Sequence, residues 1–312
     1  MKTYCLKLRP RNSFLTPWQA DTIFGSLCWI MTWREGTDAL SQFLQHYKNG
    51  NPPFILSDGF PGDFLPAPVH LSLMTPRDEG LEGYQYAKKL KKVSWLTREE
   101  FKSVCSGKLN IQPAAGRDPI KTFTTLHSSI NRISGTTGDE GSLFELKEQA
   151  VYESETLDGT ISIYIRIQNG WEEKLLDLFK NLSLTGYGKK RSVGKGSFEL
   201  LGGPESFDGF DLIQGANGFV SLSSFVPAKD DPTGGFYKTL VKYGKLGGEY
   251  AFSGNPFKKP LMMMTAGSSF YVTGDVKPFY GRLIEGTAPA KPEVVQYGFA
   301  FAVPIRLEGL NV

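Results

Sequence analysis

The chain has few of the residues that build disulfide-linked or metal-stabilised folds. Among 312 residues there are three histidines and three cysteines, the latter at positions 5, 28 and 105. The cysteines are odd in number, lie far apart and form no Cys-x-x-Cys pair, which argues against a disulfide framework and against a structural zinc site. We therefore expect a protein of the reducing cytoplasm that needs neither a metal nor another cofactor.

Long apolar runs are also missing, and so is a strong overall charge. No apolar stretch approaches the ~18 residues that span a membrane. The N-terminal residues 1–10 alternate like a β-strand and do not form the apolar core of a signal peptide. The net charge is only +3, so any binding of nucleic acid must come from local basic patches.

The strongest basic patch is the segment 184–198, LTGYGKKRSVGKGSF, which contains no carboxylate. Its four glycines permit positive φ and a close approach of backbone N–H groups to a ligand, while its four cations supply charge. This composition predicts a loop that holds the phosphates of an extended polyanion, with a solvated hairpin tip as the plain alternative. The residues expected to contact RNA here are Lys189, Lys190, Arg191, Ser192, Gly194, Lys195, Gly196 and Ser197.

Spacing excludes two common nucleotide-binding loops. A Walker loop has four residues between its first glycine and Gly-Lys-Ser/Thr, whereas Gly188 and Gly194 enclose five and Lys195 is followed by another glycine. A dinucleotide fingerprint needs a third glycine where positions 189–191 carry cations. If all four cations contact single-stranded RNA, the log-log salt dependence of binding should have a slope of about −3, at ~0.7 per phosphate.

The order of the predicted elements indicates an α+β fold. Residues 1–208 suit a ferredoxin-like unit with a polar β-hairpin arm inserted at about 115–155. Residues 209–312 are rich in predicted strands and contain one short helical candidate at 236–243. The elements of the first part are a strand at 1–10, a helix from Thr16-Pro17 with Gln19 completing a capping box, a helix at 39–47, a short apolar strand before the proline-rich segment 60–68, the arm, a strand at 160–167, a helix at 171–181, the glycine loop and a strand at 197–201.

Two further basic segments are less specific. The run of lysines within 86–101 is typical of a solvated helix face, with contact to RNA or to an acidic partner as the alternative. The stretch 244–259 combines glycines and lysines with aromatic residues that can stack on bases. Such a stretch is more often an ordinary loop.

Several segments, taken in order, resemble the fourth Csm subunit of type III-A CRISPR effector complexes, a member of the RAMP superfamily of guide-RNA-binding proteins. The resemblance runs nearly end to end. Besides the glycine loop, it is carried by 14–29 (FLTPWQADTIFGSLCW), 52–61 (PPFILSDGFP), 65–68 (LPAP), 127–132 (HSSINR), 261–270 (LMMMTAGSSF) and 297–305 (YGFAFAVPI).

The resemblance implies two ferredoxin-like, RRM-related domains, residues 1–208 and 209–312, with the arm as a β-hairpin thumb. It also implies a non-catalytic subunit that clamps the repeat-derived 5′ tag of the guide RNA through the glycine loop. Its protein partners would be the large, polymerase-like Csm subunit and a neighbouring backbone subunit. The stacking strand of a true RRM is absent, so base stacking on the sheet face is not expected. Further RNA contacts are expected from His127, Asn131, Arg132 and Ser134 in the arm and from Arg9, Arg11 and Asn12 in the first connecting loop.

The alternative function is a metal-independent ribonuclease that processes the guide precursor, as some related RAMP proteins do. His127 would then be the general acid or base, and Arg132 or Lys121 would stabilise the scissile phosphate. A metal-dependent nuclease is disfavoured, because the candidate aspartates are scattered among turns without repeated ligand spacing. Asp21 is expected to be a first-turn acid that favours the dipole of the first helix, and it is the preferred residue should weak cleavage be found.

Overall fold

The computed structural model describes residues 1–73, 80–112, 118–137, 143–154, 157–210, 213–252, 254–289 and 291–307. The predicted strands and helices of the first part are all present within one or a few residues of their expected bounds. In chain order this part contains β1 (Lys2–Pro10), α1 (Ala20–Glu35), α2 (Thr37–Lys48), β2 (Phe54–Pro61), β3 (Leu65–Pro66), α3 (Leu81–Leu90), β4 (Trp95–Leu96), α4 (Arg98–Cys105), β5 (Ile120–Ser128), β6 (Leu143–Val151), β7 (Glu153–Ser154), β8 (Leu157–Asp158), β9 (Ile161–Ile167), α5 (Glu172–Thr185), β10 (Phe198–Leu200) and β11 (Glu205–Ser206).

The first sheet has the strand order β10-β1-β9-β2, with every neighbouring pair antiparallel. If β1, β2, β9 and β10 are numbered 1 to 4 in chain order, the strands lie in the sheet in the order 4-1-3-2. Helix α1 connects the first of these strands to the second, and helix α5 connects the third to the fourth. The unit is therefore a split βαβ arrangement of the ferredoxin-like kind that the sequence predicted for this part.

Helix α1 begins later than the capping-box pattern predicted. It starts at Ala20, whose N–H donates to the Asp58 carboxylate of β2 at 2.8 Å. The Thr16 hydroxyl, expected to cap the helix, instead accepts the backbone N–H of Lys189 at 3.0 Å. The predicted start was wrong because a residue 38 positions away in sequence supplies the cap.

The second part is built from strands, as predicted, in the order β13-β16-β12-β18-β17. The helix predicted at 236–243 was wrong, because this short run is divided between β13 and β14, and β14 pairs with β15. Within the ranges that the structure describes, no α-helix follows α5, so a second ferredoxin-like unit is not seen there. The strands are β12 (Gly218–Ser221), β13 (Gly235–Phe236), β14 (Thr239–Lys242), β15 (Leu261–Met264), β16 (Ser269–Tyr271), β17 (Phe279–Ile284) and β18 (Gln296–Ile305).

One hydrophobic core joins the two sheets. It includes strand residues of β2 and β9 together with Val220, Leu222 and every second residue of β18 from Tyr297 to Ile305. The Tyr297 hydroxyl of β18 accepts the backbone N–H of Leu56 at 2.9 Å, and the buried Arg166 of β9 donates to the carbonyl of Ala302 at 2.6 Å. The two sheets are therefore packed as one body, which fixes the surfaces on either side of α1.

The predicted arm is a two-stranded antiparallel hairpin of β5 and β6, paired from Ile120 with Val151 to Ser128 with Leu143. Its base is attached to the first connecting loop, where Phe14 and Gln149 exchange both backbone hydrogen bonds at 2.9 and 2.8 Å. Because this loop also contacts the glycine loop, the arm and the glycine loop are neighbours in space.

Candidate nucleic-acid interface

The backbone of the glycine loop depends on its glycines. Gly186, Gly188, Gly194 and Gly196 all have positive φ, between 66° and 85°. A Cβ on Gly196 would lie 2.0 Å from the carbonyl oxygen of Tyr187, so no side chain fits there. Lys190 also has positive φ, and among the described residues it is the only non-glycine that does.

The base of the loop is anchored in the core by Tyr187. Its ring stacks on Trp18 with centroids 4.2 Å apart, and its hydroxyl donates to the carbonyl of Pro17 at 2.7 Å. Burial raises the pKa of this phenol well above its ordinary value. Tyr187 is thus a structural residue, and the chain on either side of it is held against the start of α1.

Lys195 does not face solvent as a free cation. Its ammonium donates to the Glu148 carboxylate at 2.6 Å and to the Ser13 hydroxyl at 2.9 Å. Glu148 lies on β6 of the arm, its side chain is fully buried, and it also accepts the Thr125 hydroxyl at 2.7 Å. Burial alone would raise the pKa of Glu148, but the hydrogen bonds from Lys195, Ser13 and Thr125 outweigh it and lower the pKa to about 2. Lys195 therefore has a structural partner within the protein, because its charge compensates a buried carboxylate.

Three of the backbone N–H groups expected to bind phosphate donate hydrogen bonds within the protein. Those of Gly194 and Lys195 donate to the carbonyls of Arg191 and Lys190, at 3.0 and 3.3 Å. That of Gly196 donates to the carbonyl of Ser13 at 3.0 Å. These three donors close the loop on itself and on the first connecting loop.

Three cations and one hydroxyl remain on the outer surface of the loop. Lys189, Lys190, Arg191 and Ser192 are exposed. The Arg191 guanidinium lies over the ring of Trp33, 5.5 Å from its centroid, and the Lys190 ammonium lies 5.6 Å from the centroid of Phe144 on the arm. These contacts leave the cations open to solvent. The outer surface of the loop is therefore a basic ridge, defined here as residues 189–192.

The first connecting loop lies against the glycine loop. Asn12 donates to the carbonyl of Gly194 at 3.2 Å and to the Ser197 hydroxyl at 3.1 Å. Arg11 pairs with Glu199 of β10 at 3.0 Å, and Arg9 lies 3.8 Å from the same carboxylate. Both guanidinium groups are about half exposed or more, so they extend the positive surface although one carboxylate partly offsets them.

The arm residues divide into two places. His127 lies near the base of the glycine loop, with Nε2 3.0 Å from the Thr125 hydroxyl and 3.9 Å from the Glu148 carboxylate. Asn131, Arg132 and Ser134 lie at the tip, where the Asn131 side chain accepts backbone N–H groups of the turn. The structure thus joins His127 to the Lys195 network and leaves the three tip residues exposed and apart from it. Sequence reasoning missed Glu148, Ser13 and Thr125, which carry no motif.

The first-turn acid Asp21 is engaged within the protein. Lys242 of β14 donates to its carboxylate at 2.9 Å, and the Gln296 side-chain amide donates to it at 2.6 Å. Asp21 is buried in the first turn of α1, where the sequence placed it, and its carboxylate also links α1 to the second sheet.

Within the described ranges, no group of three or more His, Cys, Asp or Glu side chains is arranged to hold a metal ion. In the same ranges, no helix is long and apolar enough to cross a membrane. No protein-family model and no curated protein sequence matches the chain.

Solved structures share the fold. A chain of a crystal structure of a Csm1–Csm4 cassette in complex with AMPPNP has a TM-score of 0.67 and 17% identity, covering 99% of this chain and 100% of that chain. The cassette in complex with pppApA gives a TM-score of 0.66 and 18% identity, again with 99% and 100% covered. A chain of the Csm3–Csm4 subcomplex in the type III-A CRISPR-Cas interference complex gives 0.63 and 14%, with 98% and 100% covered. Csm4 is the component that these structures have in common, and this chain shares their fold from one end to the other, in agreement with the predicted resemblance.

Proposed function

We propose that the chain is a non-catalytic RNA-binding subunit of a cytoplasmic type III-A Csm ribonucleoprotein. It holds the repeat-derived 5′ tag of the guide RNA and docks on the large, polymerase-like subunit and on a neighbouring backbone subunit. The observation that carries the proposal is the full-length likeness to chains from Csm1–Csm4 and Csm3–Csm4 assemblies. The partner subunits named in those assemblies are the partners proposed here.

The basic ridge at residues 189–192 is the proposed contact with the RNA backbone. Its three cations are exposed, while the fourth cation of the loop is engaged with Glu148. Cations on single-stranded RNA release counterions in proportion to the phosphates they neutralise. The ridge should therefore contribute a salt slope of about −2, from three contacts at ~0.7 each, and not the −3 expected from the sequence.

Binding by the full chain should be measured with a labelled guide RNA that carries its 5′ tag and with the same RNA lacking the tag. The test variant changes Lys189, Lys190 and Arg191 to Ala. A matched control changes Lys88, Lys89 and Lys92 to Ala, which removes the same charge from exposed positions on or directly after α3. The proposal predicts tag-dependent binding that the first variant loses and the second keeps. The proposal would be refuted if both variants lost RNA affinity to the same extent, or if the wild type bound RNA with and without the tag equally well.

The same samples test the ribonuclease alternative. His127 shares its surroundings with Lys195 and Glu148, which supports a structural role for its ring beside this ion pair. The proposal predicts intact RNA with the wild type and little change in binding for His127→Ala. RNA cut by the wild type and left whole by this variant would establish the nuclease instead.

A further inference from the structure

A cavity of about 690 Å³ opens beside the glycine loop, on the outer face of α1. One wall is α1 itself, from Thr22 to Thr32, and a second is formed by Gly188 and Lys189 of the glycine loop. The opposite wall is the stretch 242–250 with Phe257 and Lys258, the second glycine- and lysine-rich segment of the sequence. Its volume lies within the ~300–1,000 Å³ of pockets that hold small molecules.

Gly25 forms part of the floor of this cavity. A glycine inside a helix costs about 1 kcal/mol relative to alanine, and close packing is the usual reason to keep one. Here no atom lies within 4 Å of the place where a Cβ would stand. Close packing therefore does not explain this glycine, and the absence of a side chain at position 25 leaves this part of the cavity open.

The walls combine aromatic surface with an excess of positive charge. Trp29 projects from α1 and meets the edge of Tyr250 at 5.3 Å between ring centroids. The lining cations are Lys189, Lys242, Lys245 and Lys258, against the carboxylates Asp21 and Glu293. Asp21 is neutralised by Lys242, and Glu293 accepts the Tyr250 hydroxyl at 2.8 Å, so the remaining charge of the lining is positive.

Lys258 is the most constrained of these cations. Its ammonium donates to the carbonyl of Val295 at 3.0 Å and to the Gln296 side-chain oxygen at 2.9 Å. In the part of the chain that the structure describes, it forms no ion pair with a carboxylate. Burial lowers its pKa to about 8. An arriving anion would supply the charge partner that the ammonium lacks.

We propose that this cavity takes one nucleotide of the bound RNA strand, with its base against Trp29 and Tyr250 and its phosphate beside Lys245 and Lys258. The proposal rests on the proposed function. Its separate support is the continuity of the cavity with the basic ridge through Lys189, the open floor at Gly25 and the pairing of aromatic walls with cations. A base turned out of the strand in this way stacks on protein rings without sequence readout.

The test uses the full chain and a set of tag-carrying guide RNAs, each with one nucleotide replaced by an abasic unit. Gly25→Leu fills the floor, and Gly25→Ala is the matched control that places only a Cβ where there is room. We expect one abasic position to weaken binding to the wild type and to Gly25→Ala at least about fivefold, the lower end of the stacking contribution of a base. Gly25→Leu should bind unmodified RNA more weakly by a similar factor and lose sensitivity to that one position.

Crosslinking gives a readout that needs no variant. A 4-thiouridine at the sensitive position should crosslink to a peptide that contains Trp29 or Tyr250, identified by mass spectrometry. The inference would be overturned if no abasic position weakened binding to the wild type, or if Gly25→Leu were sensitive to the same position as the wild type. Crosslinks to other parts of the chain would overturn it as well. Loss of large-subunit binding in Gly25→Leu with RNA binding unchanged would also overturn it, by assigning the cavity to a protein partner. If the change of Lys189, Lys190 and Arg191 to Ala leaves RNA binding unaltered, the proposed function fails. If that change weakens binding but no abasic position does, only the proposal for the cavity fails.

Discussion

Replacing Lys195 with methionine should show how much the buried Glu148 carboxylate depends on its ammonium partner. The pKa of Glu148 falls from an ordinary 4.5 to about 2 in the folded chain, because hydrogen bonds from Lys195, Ser13 and Thr125 outweigh its burial. At ~1.36 kcal/mol for each tenfold change in proton affinity, the drop corresponds to about 3 kcal/mol. Lys195 is only partly buried, with 27% of its side chain exposed, so we expect the variant to lose about 2 kcal/mol of unfolding free energy at pH 7.

The pH dependence distinguishes this reasoning from simple loss of packing. A carboxyl with a lowered folded pKa adds stability that is fully present above its unfolded pKa and is lost as the pH falls toward the folded value. The difference between wild type and Lys195→Met should therefore be constant from pH 7 to about 5 and shrink as the pH falls from 4.5 toward 2. Urea unfolding of the full chain at several pH values measures it, with the exposed Lys190→Met as control. A difference that persists unchanged at pH 3 would refute the ionic account.

Three further predictions follow from other contacts. Gly196→Ala should lower the free energy of unfolding by more than about 2 kcal/mol, because its Cβ would clash with the Tyr187 carbonyl and its φ is positive. Gly202→Ala is the control in chemical denaturation: its φ is also positive but no atom lies near its Cβ, so it should lower that free energy by only about 1 kcal/mol. Burial raises the pKa of Asp58 from 3.8 to about 7. The contribution of this group to stability is therefore fully present below its unfolded pKa and is lost as the pH rises from 3.8 to about 7. Asp58→Asn, whose side-chain oxygen can still accept the Ala20 N–H, should show a flatter dependence of thermal stability on pH over that window. Tyr187→Phe should keep the stacking on Trp18 and cost about 1 kcal/mol through the lost hydrogen bond to Pro17, measured by urea unfolding against wild type.

Much of the fold could be predicted because its elements carry local patterns. Strand β9 and helix α5 have clear periodicity, and the arm was recognisable from its polar composition and its turn. Helix α1 was placed wrongly at its start, because the cap comes from Asp58 on another strand. The run at 236–243 is too short for periodicity to separate helix from strand, and only its pairing with β15 decides it.

The candidate site was predicted by composition and corrected by long-range contacts. The glycines and the exposed cations stand where the sequence placed them. The role of Lys195 could not be predicted, because its partner Glu148 is 47 residues away and is brought to it by the docking of the arm. The same holds for Gly25, whose open surroundings depend on where residues 242–250 lie relative to α1.

The carboxylate of Glu148 has a mechanical consequence. It is held by residues from three separate segments of the chain: Ser13 before α1, Thr125 on the arm and Lys195 in the glycine loop. We expect a displacement of the arm to reach the glycine loop through this carboxylate, in addition to the Phe14–Gln149 backbone pair and the contact of Lys190 with Phe144. The arm and the basic ridge should therefore move together, so that a ligand or partner that displaces the arm also changes the position of the cations in the ridge.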